Sequence, residues 1–432
     1  IIGGGAAGFG AAKTLLDAGC SVRLFESAAQ LGGHCHSVTV RDRWGSRHCL
    51  DAGVSDFNRH TFTQLSTIID ELGLETHPIR QDTDIVDRSR TSMLSVRDGE
   101  WRFDPAVEDS AALLAEVDAF RAAARRALKD PRSTRWTVDR FLDHLGASKD
   151  FRRLYVLPRT MGAFPMPDGE PGRSSLHAIL NFWRIHGLLG DGPADRRAVA
   201  GGMHRYAGAF ERWLRRRGAS IHTHTRVVGV ARGRRHQEVS AGDRGGKLTR
   251  HRVDHVLFAC HASKALELIE RPSPAESDAL SRFPHQWARV VVHRDPTLLG
   301  ADRGRWGAFN YAVPDGDWPH RRPTVTFYPN RLASLDESVP DTFVTVNPVR
   351  PPRPDRILSD RRLLHPILNA DTRALASRVE ALQGVRRTWF AGAYLRAPAV
   401  HESALQSGAD AARRLLQDDV EASSYRCVAA GG

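Results

Sequence analysis

Ile1-Ile2-Gly3-Gly4-Gly5-Ala6-Ala7-Gly8-Phe9-Gly10 opens the chain, and the reading of this stretch decides the fold. Two apolar residues end a strand, and Gly3, Gly5 and Gly8 then fit the pattern G-x-G-x-x-G at the start of a helix. Gly3 permits the tight turn, Gly5 removes the side chain where backbone must approach a pyrophosphate, and Gly8 lets helix and strand lie close. The helix N-terminus offers free N–H groups and about half a positive charge to phosphate. Ala12, Leu15 and Leu16 give the helix a buried face and Gly19 ends it. Val22, Leu24 and Phe25 form a second strand, which closes on Glu26. A carboxylate there accepts two hydrogen bonds from a ribose diol and repels a 2′-phosphate. Strand, helix, Gly19 and acid all fall at the offsets of a dinucleotide-binding βαβ unit.

Leu31-Gly32-Gly33-His34 follows closely. A glycine pair at this place suits a chain that passes the pyrophosphate a second time, which an FAD site requires and an NAD site does not. The expected cofactor is therefore FAD, and the expected fold class is α/β with a Rossmann-like FAD-binding domain.

Working outward, 432 residues are long for one core, so two domains are expected. The FAD domain is expected to be discontinuous, over 1–60, 197–270 and 376–418. An α+β substrate or cap domain would occupy 61–196 and 271–375, with 419–432 as a tail. Leu65, Ile68, Ile69 and Leu72 recur at helical spacing, as do Leu176, Ile179, Leu180 and Trp183. The stretch 105–190 reads as mainly helical, and 204–217 and 402–416 as further helices. Short strands are expected at 253–259, 288–293, 309–313, 324–328, 343–347 and 388–392. The Pro- and Arg-rich 349–366 reads as a loop.

The net charge is +12, but only five of the 62 basic residues are lysines. That imbalance reads as a coding bias toward arginine spread over the surface. No basic stripe with interleaved aromatics accompanies it, so nucleic acid is not an expected partner. No apolar run approaches 18 residues, so no membrane span is expected. Five cysteines form no C-x-x-C pair, which favours reduced thiols in a cytoplasmic protein. No signal peptide is visible, and a few residues are expected to precede Ile1, since a first strand of this type is normally longer. No H-E-x-x-H or carboxylate cluster calls for a metal, and no G-x-S-x-G elbow supports a serine hydrolase.

Leu31–His36, Asp51-Ala52-Gly53 with Phe57-Asn58, Val199–Gly202, Asp254–His261, Val346-Asn347-Pro348 and Trp389–Ala393 with His401-Glu402 and Ser407-Gly408 together carry a resemblance. The chain resembles the FAD-dependent amine oxidase and phytoene desaturase superfamily over nearly its whole length. More closely, it is similar to bacterial predicted NAD/FAD-binding oxidoreductases related to the flavoprotein portion of plant cyclopropane fatty acid synthases. The resemblance implies a domain of the amine oxidase and glutathione reductase type, with the flavin ring at the domain interface. It implies cofactor contacts from Gly3, Gly5, Gly8, Glu26, Gly32, Gly33, His34, Gly53, Val227, Gly392, Ala393 and His401. It also implies that the helix after His401 points its N-terminus at the flavin edge that gains negative charge on reduction. Two departures stand out. Ala393 replaces an acid common in the superfamily, and Leu395–Val400 replaces an aromatic, glycine-rich stretch.

His34, His36, His401, Glu402 and Tyr328 are the candidates for acid–base chemistry. His34 and His36 could instead cap their loop or touch phosphate, and Glu402 could be a plain helix N-terminal acid. Tyr311, Tyr328, Asn330 and Arg331 are the expected substrate wall, and Trp183 and Trp287 are expected in the core. No second G-x-G-x-x-G is present, so electrons should enter from a small organic substrate. The expected function is an FAD-dependent oxidase or desaturase acting on an acyl, polyketide-like or amine substrate. A redox-neutral double-bond isomerase and a flavoprotein with purely structural FAD are the alternatives. The sequence leaves the oligomeric state open.

Overall fold

The computed structural model describes all residues except 88, 106, 108, 164, 165, 167–169, 191–194, 315–322 and 430–432. At the centre of the nucleotide half lie short parallel strands. Ile2 bridges in parallel to both Phe25 and Phe258. Outside it, Arg23–Phe25 pairs with Ser220–His222, and Val256–Phe258 with Thr388–Phe390. Val256–Phe258 and Thr388–Phe390 are buried throughout, and Leu24, Phe25 and Ile221 in the outer pair are buried too, as parallel strands under helices require. Leu24, Leu257 and Trp389 point into one cluster with Phe9, Phe210 and Leu405. Phe25, Phe258 and Phe390 point into the opposite cluster with Val230 and Val239 of an antiparallel three-stranded layer.

The first cluster is sealed by three helices. Ala6–Asp17 and Met203–Arg216 fall where the sequence places helices. The last helix runs from His401 to Ala429, on through most of the stretch expected as a tail. The first and last helices cross backbone to backbone. A Cβ on Gly10 would collide with the Leu405 carbonyl oxygen, and one on Gly408 with that of Ala7. No larger residue fits either place.

The other half is an eight-stranded sheet in the order Ile357–Pro366, His285–His293, Phe343–Val346, Thr324–Phe327, Phe309–Ala312, Thr83–Val86, Ser92–Arg97 and Glu100–Phe103. Its only parallel pairing among the described residues joins Phe309–Ala312 to Thr83–Val86. Helices between Ser110 and Ile185 pack on it around Phe120, Phe151 and Trp183. Two expectations fail here. Ile357–Pro366 is a ten-residue strand paired with His285–His293, not a loop. Trp287 on that neighbouring strand is 62% exposed, not core. A small three-stranded sheet, with Arg196–Val199 between Phe57–Asn58 and Thr76–Pro78, stitches the halves together. No helix among the described residues is long and apolar enough to cross a membrane.

Candidate functional site

A cavity of about 1100 Å³ runs between the two halves. That exceeds the roughly 300–1,000 Å³ of ordinary small-ligand pockets. One end is built from backbone. Gly3 sits at φ +109°, and a Cβ there would lie 2.5 Å from the Ala259 carbonyl oxygen. Gly8 is closed to side chains by the Gly3 carbonyl, so it brings the helix onto the turn without lining the cavity. Gly5 and Gly33 face each other from the two glycine turns, and a Cβ on Gly33 would stand 3.1 Å from the Gly5 Cα. Gly3, Gly5, Gly32 and Gly33 all line the cavity, with Ala6 and Ala7 at the helix start. That helix has no side-chain cap and no acid in its first turn, so its N–H groups are free for an anion.

Glu26 lines the same end. Its Oε2 accepts the Gly4 N–H at 2.8 Å and its Oε1 the Ala28 N–H at 2.7 Å. A carboxylate has about four lone-pair sites, so capacity remains for a ribose diol after the turn is braced. Val227, Gly392 and Ala393 also line the cavity, and so does Gly53, which is pressed against the His34 carbonyl. A bare cradle, an uncapped helix start and a diol acceptor fit an ADP moiety.

Beyond the cradle the wall turns to imidazole. His34, His261, His365 and His401 all line the cavity. The His34 and His365 rings are 4.8 Å apart, one from the glycine-pair loop and one from the strand Ile357–Pro366. Burial pushes His34 down to about 3, helped by His365, His261 and His401. Burial likewise holds His261 at about 3 and His401 at about 4. These groups are neutral at pH 7. His401 sits between two buried partners, the Tyr206 hydroxyl at 3.3 Å and the Cys35 sulfur at 4.0 Å. His365 holds its Nδ1 3.2 Å from the Leu363 carbonyl, which leaves Nε2 as the free nitrogen.

Three sequence candidates stand elsewhere. Glu402 is buried away from the lining, and its carboxylate accepts the Gln64 and Leu65 N–H groups at 2.9 and 3.0 Å. It therefore caps the helix Thr63–Glu71, which has no capping side chain of its own at Phe62. His36 is outside the lining, with its Nε2 buried and unpartnered. Tyr328 also lies outside the lining; it packs with Leu299, Trp306 and Phe343, and its hydroxyl donates to Asp341 at 2.5 Å. The expected substrate wall is likewise displaced. Asn330 brackets the Val339 carbonyl and the Thr342 N–H, Arg331 pairs with Asp82 at 2.7 Å, and Tyr311 is buried in the large core.

The wall that does form is apolar, from Met161, Phe182, Phe309, Val325, Phe327 and Leu332. Two carboxylates interrupt it, and both are engaged. Asp51 accepts the Met203 N–H at 2.9 Å and the Ser37 hydroxyl, and burial pushes its carboxyl up to about 7. Asp56 pairs with Arg196 at 2.7 Å. His261, His365, Asp56 and Arg196 were not candidates in the sequence. Only His261 had a local signal, at the end of an apolar strand. Among the described residues no cluster of His, Cys, Asp and Glu could hold a metal.

The family model described as flavin containing amine oxidoreductase matches residues 6–292. A comparison with curated proteins found no match. Solved structures match over nearly the whole chain. A CLA-producing fatty acid isomerase from P. acnes aligns with TM-score 0.70 and 16% identity, over 96% of this chain and 97% of that one. Cyclohexylamine oxidase from Brevibacterium oxydans aligns with TM-score 0.68 and 16% identity, over 96% and 98%. A putative protoporphyrinogen oxidase from Exiguobacterium aligns with TM-score 0.66 and 14% identity, again over 96% and 98%. At these identities the likeness establishes the fold: a Rossmann-like FAD domain with a substrate domain.

Proposed function

Because the chain belongs to the flavin-containing amine oxidoreductase family, and is thereby an FAD-dependent oxidoreductase, we propose a substrate class for it: an elongated apolar molecule of acyl or polyketide-like character, oxidised at a C–H bond. In this reading the parallel-sheet half carries the cofactor and the eight-stranded half the substrate. Bound FAD supplies the two-electron acceptor. Gly3, Gly5, Gly32, Gly33 and Glu26 hold its ADP end, and Gly392, Ala393 and His401 stand at the last helix start. The likeness of the motifs to the flavoprotein portion of plant cyclopropane fatty acid synthases also supports an acyl substrate.

One observation carries the choice of substrate: among the described residues, the apolar wall has no disengaged carboxylate to receive a cation. Asp56 already pairs with Arg196, and Asp51 already takes two donors and is lifted toward the neutral form. A protonated amine would enter without a counter-charge, at a desolvation cost of several kcal/mol. A neutral chain meets Phe182, Phe309 and Val325 instead. In this reading His365, with its Nε2 free, accepts the proton that accompanies hydride loss, and His34, held at about 3, serves as a neutral hydrogen-bond partner.

The test is anaerobic mixing of the FAD-loaded protein with long-chain saturated and unsaturated acyl compounds and, separately, with primary amines. Bleaching of the oxidised flavin by an acyl compound is expected. Turnover of an acyl double bond without net bleaching or oxygen use would assign the redox-neutral isomerase instead. Bleaching by amines alone overturns the substrate class, and protein that stays colourless in FAD overturns the cofactor assignment.

A further inference from the structure

The strand Arg196–Val199 is held on both sides, by Phe57–Asn58 and by Thr76–Pro78. Alternation along it sends Arg196 and Ala198 into the cavity wall and Arg197 away, to the Thr76 hydroxyl at 3.0 Å and to Asp195. The Arg196 side chain is 10% exposed, and its guanidinium lies 5.0 Å from the centre of the Phe309 ring. A guanidinium has five N–H bonds in a fixed planar fork. One of them, on Nε, goes to Asp56 Oδ2 at 2.7 Å, while Asp56 Oδ1 takes the Ser55 hydroxyl at 3.0 Å. The four on the two Nη atoms meet no acceptor among the described residues. Asp56 therefore fixes the orientation of the fork without using its outer edge. Arg196 lines the cavity beside Asp56 and His186, and Phe182, Phe309, Val325 and Met161 supply the apolar part of the wall.

We propose that Arg196 anchors a terminal carboxylate of the substrate, gripping both oxygens through its Nη edge while the chain lies along the apolar wall. The proposal rests on the apolar-substrate reading and adds to it an end and a direction. A planar two-oxygen anion is the group that matches two parallel donors from a guanidinium. A structural strut between the strand and the Asp56 loop needs the Nε contact alone, and backbone pairing already holds Arg196 opposite Asn58.

The experiment is a titration of the FAD-loaded protein with palmitate and, separately, with methyl palmitate, followed through the flavin visible spectrum. Palmitate is expected to bind more tightly than its ester. Arg196→Gln is expected to weaken palmitate about 10- to 100-fold and to leave the ester within about twofold. Arg196→Lys, which keeps the charge and loses the fork, is expected to recover only part of that loss. Acid and ester binding alike in the unaltered protein overturns the anchor and leaves the apolar-substrate reading standing, and this comparison needs no variant to fold. Equal weakening of both ligands by Arg196→Gln also overturns it. Failure of both ligands to perturb the flavin overturns the anchor and the apolar-substrate reading together.

Discussion

The two ends of the cavity are made of different material. At the cradle the wall is main chain: glycine turns that meet at van der Waals distance, a helix start with free N–H groups, and one carboxylate braced by two backbone donors. At the substrate end the wall is side chain, drawn from helices and strands far apart in sequence. The first kind of wall tolerates almost no added atom, because backbone cannot rotate out of the way. The second tolerates exchange of one apolar residue for another, so it can change ligand without changing fold. On the proposed reading, the cofactor end is fixed by backbone contacts and specificity is left to replaceable side chains.

The hardest test of that contrast is Gly408→Val. Its side chain would meet the Ala7 carbonyl oxygen, and the first helix would have to move off the last. A loss of about 3 kcal/mol or more is expected, with release of FAD, read as flavin absorbance per protein and as a thermal unfolding shift. Val325→Phe, by contrast, fills the substrate end. FAD content should be unchanged while affinity for a long acyl ligand falls about tenfold, or 1.4 kcal/mol. Loss of FAD in this second variant would erase the distinction between the two ends.

The seam between them should respond to acid. His34, His261 and His401 are held at about 3, 3 and 4, and His186 and His293 at about 4, against 6.5 for a free imidazole. The unfolded chain therefore binds protons that the folded chain refuses, and this stability is complete above about pH 6.5 and is lost as pH falls toward 4. Asp51, raised to about 7, and Asp84, raised to about 6, act in the opposite direction. Five imidazoles outweigh two carboxyls, so the unfolding temperature should drop between pH 6.5 and 4.5. A flat profile would mean that the imidazoles are not desolvated. The smallest effect belongs to Tyr328→Phe. It removes one hydroxyl bond to Asp341 outside the cavity, so about 1 kcal/mol of stability should go with FAD content and ligand binding unchanged.

The same division explains what the sequence disclosed. The cradle is local: Gly3 to Glu26 is one contiguous βαβ unit whose offsets are set by helix and strand geometry, so spacing alone reveals it. Glu402 is the second residue of the last helix, where either an acid–base role or that of a plain helix N-terminal acid is expected, yet its partners Gln64 and Leu65 come from the far end of the sequence. His365 was hidden because its strand follows a Pro- and Arg-rich stretch and alternates poorly. Among the described residues that strand is paired on one side only, so its exposed Asp360, Arg361 and Arg362 mask the pattern. The four strands between Thr76 and Phe103 went unread for a related reason, being short and linked by polar turns. Tyr328 was placed in the right segment, but the cavity takes Val325 and Phe327 from that strand and leaves Tyr328 on the other side.

The crossing of the first and last helices has a consequence in time. Ala7 and Gly408 touch, yet about 400 residues separate them. At roughly 5–20 residues per second on the ribosome, the opening turn emerges on the order of 20–80 s before the helix that covers it is made. Throughout that interval the cluster around Phe9, Ala12 and Leu16 lacks Leu405, Ala411 and Ala412, although Tyr206 and Phe210 are already made about halfway through. The cavity that Gly3 and Gly5 open is therefore closed by Gly392, Ala393 and His401 only near the end of synthesis.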